Sequence, residues 1–132
     1  MNTGYLLMQI SKEMRYQLNQ QLTVQNMTVQ QWAVIEQISL LPRATAKEIA
    51  QNLNMDNPTA SGIVNRLEKK RLLVKQSNPQ DKRSYLLFLT KEGQAYLAKG
   101  QKISDQVLAN FLQKLSSAQQ SELNHLLNKL IR

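Results

Sequence analysis

Residues 56–90 read DNPTASGIVNRLEKKRLLVKQSNPQDKRSYLLFLT, and within them the hydrophobic period changes once. Asp56 or Asn57 offers a side-chain oxygen to free backbone N–H groups, and Pro58 suits a first helical turn, where its missing donor is not needed. A helix therefore starts here. Ala60, Ile63, Val64 and Leu67 recur at i, i+3, i+4 and i+7 and form one apolar stripe. The opposite face carries Gly62, Asn65 and Lys69 at its centre, with Thr59, Ser61 and Arg66 on its flanks. After Arg71 the apolar runs shorten to strand length, Leu72 to Val74 and Tyr85 to Leu89, around the turn-forming stretch QSNPQDKRS. The expected product is a hairpin whose tip carries Asp81, Lys82 and Arg83.

The residues just upstream complete a second helix. Thr45 with Glu48 has capping-box spacing and opens a short segment with Ala46, Ile49, Ala50 and Leu53 on one side. Asn54, Met55 and Asp56 then make a tight turn. Two short helices at a steep angle followed by a basic hairpin describe a winged helix-turn-helix. In that fold the second helix enters a major groove and the hairpin, or wing, reaches a neighbouring minor groove. The expected fold class is thus mainly α with a small β-hairpin wing. An ordinary αα-hairpin would fit the two helices alone, and the wing argues against it.

The order helix, RLEKK, strand, D-x-R hairpin tip, strand, LT-x-x-G resembles the MarR family of bacterial transcriptional regulators. The matching residues are Arg66 to Lys70, Asp81 to Arg83, and Leu89 to Gly93, within a closest match over about residues 45–97. One position departs from the pattern: the family usually has Gly after the recognition helix, and this chain has Arg71. A non-glycine residue at a left-handed helix end costs up to about 1 kcal/mol. The resemblance implies a homodimeric, ligand-responsive regulator of transcription. It also implies an effector pocket between the dimer helices and the DNA-binding lobe, often for phenolic or other small aromatic acids.

For duplex DNA the side chains sort by chemistry. Lys69, Lys70, Arg71, Lys75 and Lys82 suit phosphates, which set affinity and register. Asn65, Ser61 and Thr59 are short and polar, suited to base edges or nearby phosphates, and Gly62 leaves clearance for close approach. Arg83 is the candidate minor-groove probe, with Asp81 placed to hold its guanidinium; the resemblance assigns the D-x-R pair that role. Arg66 reads equally as a DNA contact or as one half of an intramolecular ion pair. The alternative function is a winged-helix protein-interaction or RNA-binding module. Single-stranded RNA would favour rings for stacking, and near the wing only Tyr85 offers one.

Composition agrees with a polyanion partner. Seventeen Lys plus Arg against nine Asp plus Glu give a net charge of +8 over 132 residues. The basic excess is 0 over residues 1–42, +5 over 43–93 and +3 over 94–132, so it peaks on the motif. With no Cys, disulfides and thiolate chemistry are excluded, and one His, His125, leaves little for a zinc site or a general base. The four glycines are too scattered for a phosphate-cradling loop, so neither an enzyme nor a cofactor is expected. No basic leader with a long apolar run and no uncharged apolar span of membrane length is present, which points to a soluble, cytoplasmic protein without a membrane partner.

The flanks are helical. Leu7, Ile10, Met14, Leu18 and Leu22 space a first helix, and Thr28 with Gln31 caps a second that holds Trp32 and ends at Pro42. Trp32, alone in an apolar helix, reads as core. Thr90 caps a helix running through Leu97, Ile103, Val107, Phe111, Leu112 and Leu115; Ser116 or Ser117 starts a last one with Leu123, Leu126, Leu127, Leu130 and Ile131 on one side. Length allows one domain, with a winged-helix lobe over 28–90 and dimerisation helices over 1–24 and 91–132. The residues expected at the dimer interface are Leu7, Ile10, Met14, Leu112, Leu123, Leu126, Leu127 and Leu130. An intramolecular bundle is the alternative cover for these stripes.

Overall fold

The computed structural model describes residues 2–131, and in it each of the six helices starts at a side-chain oxygen that accepts a free backbone N–H of the first turn. These oxygens belong to Asn2, Thr28, Thr45, Asp56, Thr90 and Ser116, which open α1 (Thr3–Val24), α2 (Val29–Leu40), α3 (Ala46–Asn52), α4 (Asn57–Lys69), α5 (Lys91–Leu112) and α6 (Ser117–Ile131). Thr28 and Gln31 close a full capping box, as do Ser116 and Gln119. Thr45 accepts from the Glu48 N–H.

Three helices end with a residue in the left-handed region: Asn26 at φ 57°, Asn54 at φ 53° and Arg71 at φ 63°. Each closes the same pair of bonds. After α4, the Arg71 N–H donates to the Glu68 carbonyl and the Leu72 N–H to the Leu67 carbonyl, at 2.9 and 3.0 Å. Asn tolerates this conformation through its short polar side chain, whereas Arg71 has no such help and stores strain at the exit of α4.

The strands β1 (Leu73–Ser77) and β2 (Tyr85–Leu89) pair antiparallel, with Leu73 opposite Leu89 and Ser77 opposite Tyr85. Beyond them the Leu87 N–H donates to the Ala44 carbonyl at 2.9 Å, so the α2–α3 connection lies alongside β2 like one residue of a third strand. Leu73 and Leu87, on one face of the hairpin, point inward and join Ile35, Ile38, Ile49, Ile63, Val64 and Leu67 in the main core, which lies between α2, α3, α4 and the hairpin, while Leu86 is buried on the hairpin's opposite face. Truncating a side chain as enclosed as Leu67 costs about 2–5 kcal/mol.

α5 leaves this lobe through the LT-x-x-G segment. The Thr90 hydroxyl accepts from the Gly93 N–H and donates to the Arg71 carbonyl at 2.7 Å, while the Thr90 N–H donates to the Leu72 carbonyl. A Cβ on Gly93 would collide with that Leu72 carbonyl. Gly100 has a like role further along the helix, where a Cβ would collide with the Trp32 indole, which is buried with its Nε1–H directed at the Leu97 carbonyl. The two glycines thus set the closeness of α5 to the lobe, which outweighs their low helix propensity.

The termini are otherwise uncovered. α1 packs along α5 and buries Leu22, but Leu6, Leu7, Met8 and Ile10 remain exposed. No described side chain of α6 is buried: Leu123 and Leu127 are half-buried toward Leu108 and Leu112, and Leu126, Leu130 and Ile131 face outward. Thus α1 and α5 pack together, but among the described residues no intramolecular bundle covers the apolar stripes of α1 and α6. Among the described residues no helix is long and apolar enough to cross a membrane.

Candidate nucleic-acid interface

α4 begins at Asp56, whose Oδ1 accepts the Thr59 N–H at 2.7 Å. The Thr59 N–H and then its hydroxyl hold the Asp56 carboxyl below the ordinary value for an aspartate. With Ala60, Ile63, Val64 and Leu67 turned into the core, Thr59, Ser61, Asn65, Arg66 and Lys69 are left exposed. A Cβ built on Gly62 would meet nothing closer than the Arg66 guanidinium at 3.6 Å, so the chain's own packing does not require glycine there.

The wing tip is built by side chains bonding to backbone. Asn78 is buried: its Oδ1 accepts the Gln80 N–H and a longer bond from the Arg43 guanidinium, and its Nδ2 donates to Ser84 Oγ at 3.0 Å. Asp81 then makes a second turn, accepting the Arg83 N–H at 3.0 Å and its Nε–H at 3.5 Å. The Arg83 backbone N–H, followed by the guanidinium and the charge of Lys47, keeps the Asp81 carboxyl below its usual range despite some desolvation. Arg83 is 93% exposed beside an Asp81 that is 46% exposed, so the guanidinium is tethered at its root and free at its end.

Between α4 and the wing runs a groove of about 640 Å³, lined by Ser61 and Asn65 on one wall, Asp81, Arg83 and Tyr85 on the other, with Lys75 between them and Lys47 of α3 at the side. The groove thus brings Ser61 and Asn65, expected to read bases, together with Asp81 and Arg83, expected at the minor groove, whereas Thr59, Gly62, Arg66, Lys69 and Lys82 lie outside its lining.

A sequence model described as "MarR family" matches residues 25–84. YwoH of Bacillus subtilis, described as an uncharacterized HTH-type transcriptional regulator, is 31% identical over 114 residues, which are 81% of this chain and 82% of that protein. The chain belongs to the MarR family. The homoprotocatechuate degradative operon repressor of Escherichia coli is 26% identical over 106 residues, 80% of this chain and 72% of the repressor. Among solved structures, the S. aureus MepR–DNA complex is similar with a TM-score of 0.83 at 25% identity, covering 99% of this chain and 97% of that one. These relatives are regulators of transcription or, for MepR, a DNA complex, and none is described as an enzyme.

The geometry gives the MarR-like RLEKK run a residue-by-residue meaning that differs in several places from the expectation. Leu67 is core, and Arg66 and Lys69 face outward. Neither of the two ion pairs among the described residues includes Arg66, so the intramolecular pair considered for it is not formed. Lys70 turns away from the groove, and its Nζ donates to the Asn26 carbonyl at 2.8 Å, fastening the end of α4 to the α1–α2 turn. Lys75 is not a free phosphate cation either. Its Nζ donates to Asn65 Oδ1 at 2.7 Å, pairs with Glu68 at 3.4 Å and lies 5.6 Å from the centre of the Tyr85 ring. Lys82 is exposed on the tip.

Three contributors escaped the sequence reading: Lys47, Arg43 and Asn78. Lys47 follows from α3 geometry once Ile49 and Ala50 are fixed inward. Arg43 meets Asn78 only through a contact across 35 residues of chain. Asn78 carried a signal in its Asn-Pro pair, which marks a turn, but not in its burial.

Proposed function

We propose that this protein is a sequence-specific, DNA-binding transcriptional repressor that acts as a homodimer on a palindromic operator and is released by a small-molecule ligand. The observation that carries this reading is one groove flanked by the polar face of α4 and by the tethered, exposed Arg83. A repressor among the relatives and the DNA bound to MepR support it. Thr59, Ser61, Gly62, Asn65, Arg66 and Lys69 would lie against the major groove, with Lys47 at its margin. Asp81, Lys82 and Arg83 would meet the minor groove, and Lys75 would act from within the protein. The Tyr85 ring lies under the Lys75 ammonium, which disfavours base stacking and with it the RNA-binding alternative.

The proposed layout is one domain, with a lobe over 28–90 carried by terminal helices that pair with a second copy. The exposed Leu7, Ile10, Leu126 and Leu130, joined by half-buried Met14, Leu112, Leu123 and Leu127, supply an apolar face for that pairing. For the effector, a groove of about 740 Å³ where α1 meets the start of α2 combines Leu7 and Val29 with Arg15, Lys12 and Tyr16. Apolar walls with two cations suit a small aromatic or phenolic acid. The absence of a membrane-length helix among the described residues accords with a cytoplasmic site of action.

A mobility shift with labelled duplex and either duplex or single-stranded competitor tests the reading. Duplex should compete far better. Equal or better competition by single strands would refute it.

A further inference from the structure

We infer that Lys75 is a positioning residue that locks the amide of Asn65 with its NH₂ outward, so that α4 reads guanine rather than adenine at the base facing Asn65. The inference rests on the DNA-binding reading given above and adds a base preference to it. An ammonium has three donors and no acceptor, so the Asn65 atom 2.7 Å from Lys75 Nζ must be the carbonyl oxygen.

The lock is well anchored. Lys75 is 23% exposed, its ammonium is paired with Glu68 at 3.4 Å, and it lies over the Tyr85 ring on the neighbouring strand. It comes from β1, across the groove floor from α4, and is held on three sides. Swinging out to a phosphate would break all three contacts, one of which is a charge-assisted bond.

The consequence follows from base-edge chemistry. An asparagine reads adenine by accepting from N6 and donating to N7 at once, which needs both amide groups aimed at one edge. With the oxygen turned toward β1, Asn65 presents two N–H donors and nothing else. Guanine shows two acceptors in the major groove, O6 and N7, and matches this pattern. Adenine and cytosine each present an amino group where the locked amide has no acceptor to offer.

Selection from randomised duplex DNA with the wild type and three variants tests the idea. In each half-site, one position should be guanine for the wild type and become indifferent with Asn65→Ala. Lys75→Met frees the amide to rotate and should move that position toward adenine, changing the guanine-to-adenine ratio by about fivefold or more. Asn65→Asp keeps an acceptor for Lys75 but has no N–H, and should abandon guanine for cytosine. This arm decides the matter should Lys75→Met lose helicity. Adenine at the wild-type position, or guanine retained by either a folded Lys75→Met or Asn65→Asp, overturns the inference. So does a site in which no position responds to Asn65→Ala, although DNA binding itself then stands. Failure to bind duplex at all refutes both the inference and the reading beneath it.

Discussion

Replacing Arg83 with Ala separates wing from helix, and its effect can be sized from the structure. The guanidinium is 93% exposed and its only ion pair among the described residues is a single 3.5 Å contact, so nearly all of its charge is available to DNA. Each phosphate neutralised contributes about 0.9 to the slope of log affinity against log salt. A dimer carries two such arginines, so Arg83→Ala should flatten the slope by about 1.8. Across a fourfold rise in salt the wild type should then lose about tenfold more affinity than the variant. Because the minor groove shows only a degenerate pattern, binding to selected and unrelated duplexes should weaken alike. Fluorescence anisotropy titrations at several salt concentrations measure this directly, after circular dichroism and sedimentation show unchanged helicity and mass. A folded Arg83→Ala with wild-type affinity and slope would remove the wing from the interface.

Charged substitutions at Leu126 and Leu130 should yield monomers or unfolded protein and abolish operator binding, as read by sedimentation and mobility shift; a dimer with intact binding would exclude α6 from the interface. Arg71→Gly should raise stability by a few tenths to about 1 kcal/mol in urea unfolding, because φ 63° costs glycine nothing. A loss of stability would show that the Arg71 side chain makes up for its backbone. The Asp56 carboxyl titrates below its unfolded value, so its cap contributes stability above the ordinary carboxylate range and loses it as pH falls through the lowered value. Asp56→Asn keeps a capping oxygen without the charge and should therefore show a shallower fall in urea midpoint below about pH 4. An unchanged acid profile would mean that other carboxylates dominate.

Most of the fold is legible in residues 56–90 because local chemistry there agrees with tertiary demand. Asp56 caps, Leu67 is core, and Asp81 holds Arg83 at a two-residue spacing that a turn makes inevitable. Thr90 and Gly93 are recognisable by spacing, and the structure adds their reason: one hydroxyl and one missing Cβ bring α5 against the Leu72 carbonyl. What the sequence hides is the direction of long side chains. Lys69, Lys70 and Lys75 look alike in a basic run, yet among the described residues only Lys69 of the three is left without a protein partner, Lys70 bonds across 44 residues to Asn26 and Lys75 bonds back to Asn65. Sequence period alone cannot separate them, because these partners come from elements distant in the chain or across a turn. The same is true of Asn78, whose burial depends on Arg43 and Ser84 closing over it.

The most direct measurement is the stoichiometry and symmetry of the complex with duplex selected from random DNA. Two chains, each with one α4 and one wing, require an imperfect palindrome with half-sites about one helical turn, near 10 base pairs, apart or a multiple of that. Native mass spectrometry of the selected complex should give two chains per duplex, and the consensus should be two-fold symmetric. One chain bound to an asymmetric, unrepeated site would contradict the proposed dimeric, two-groove reading of DNA.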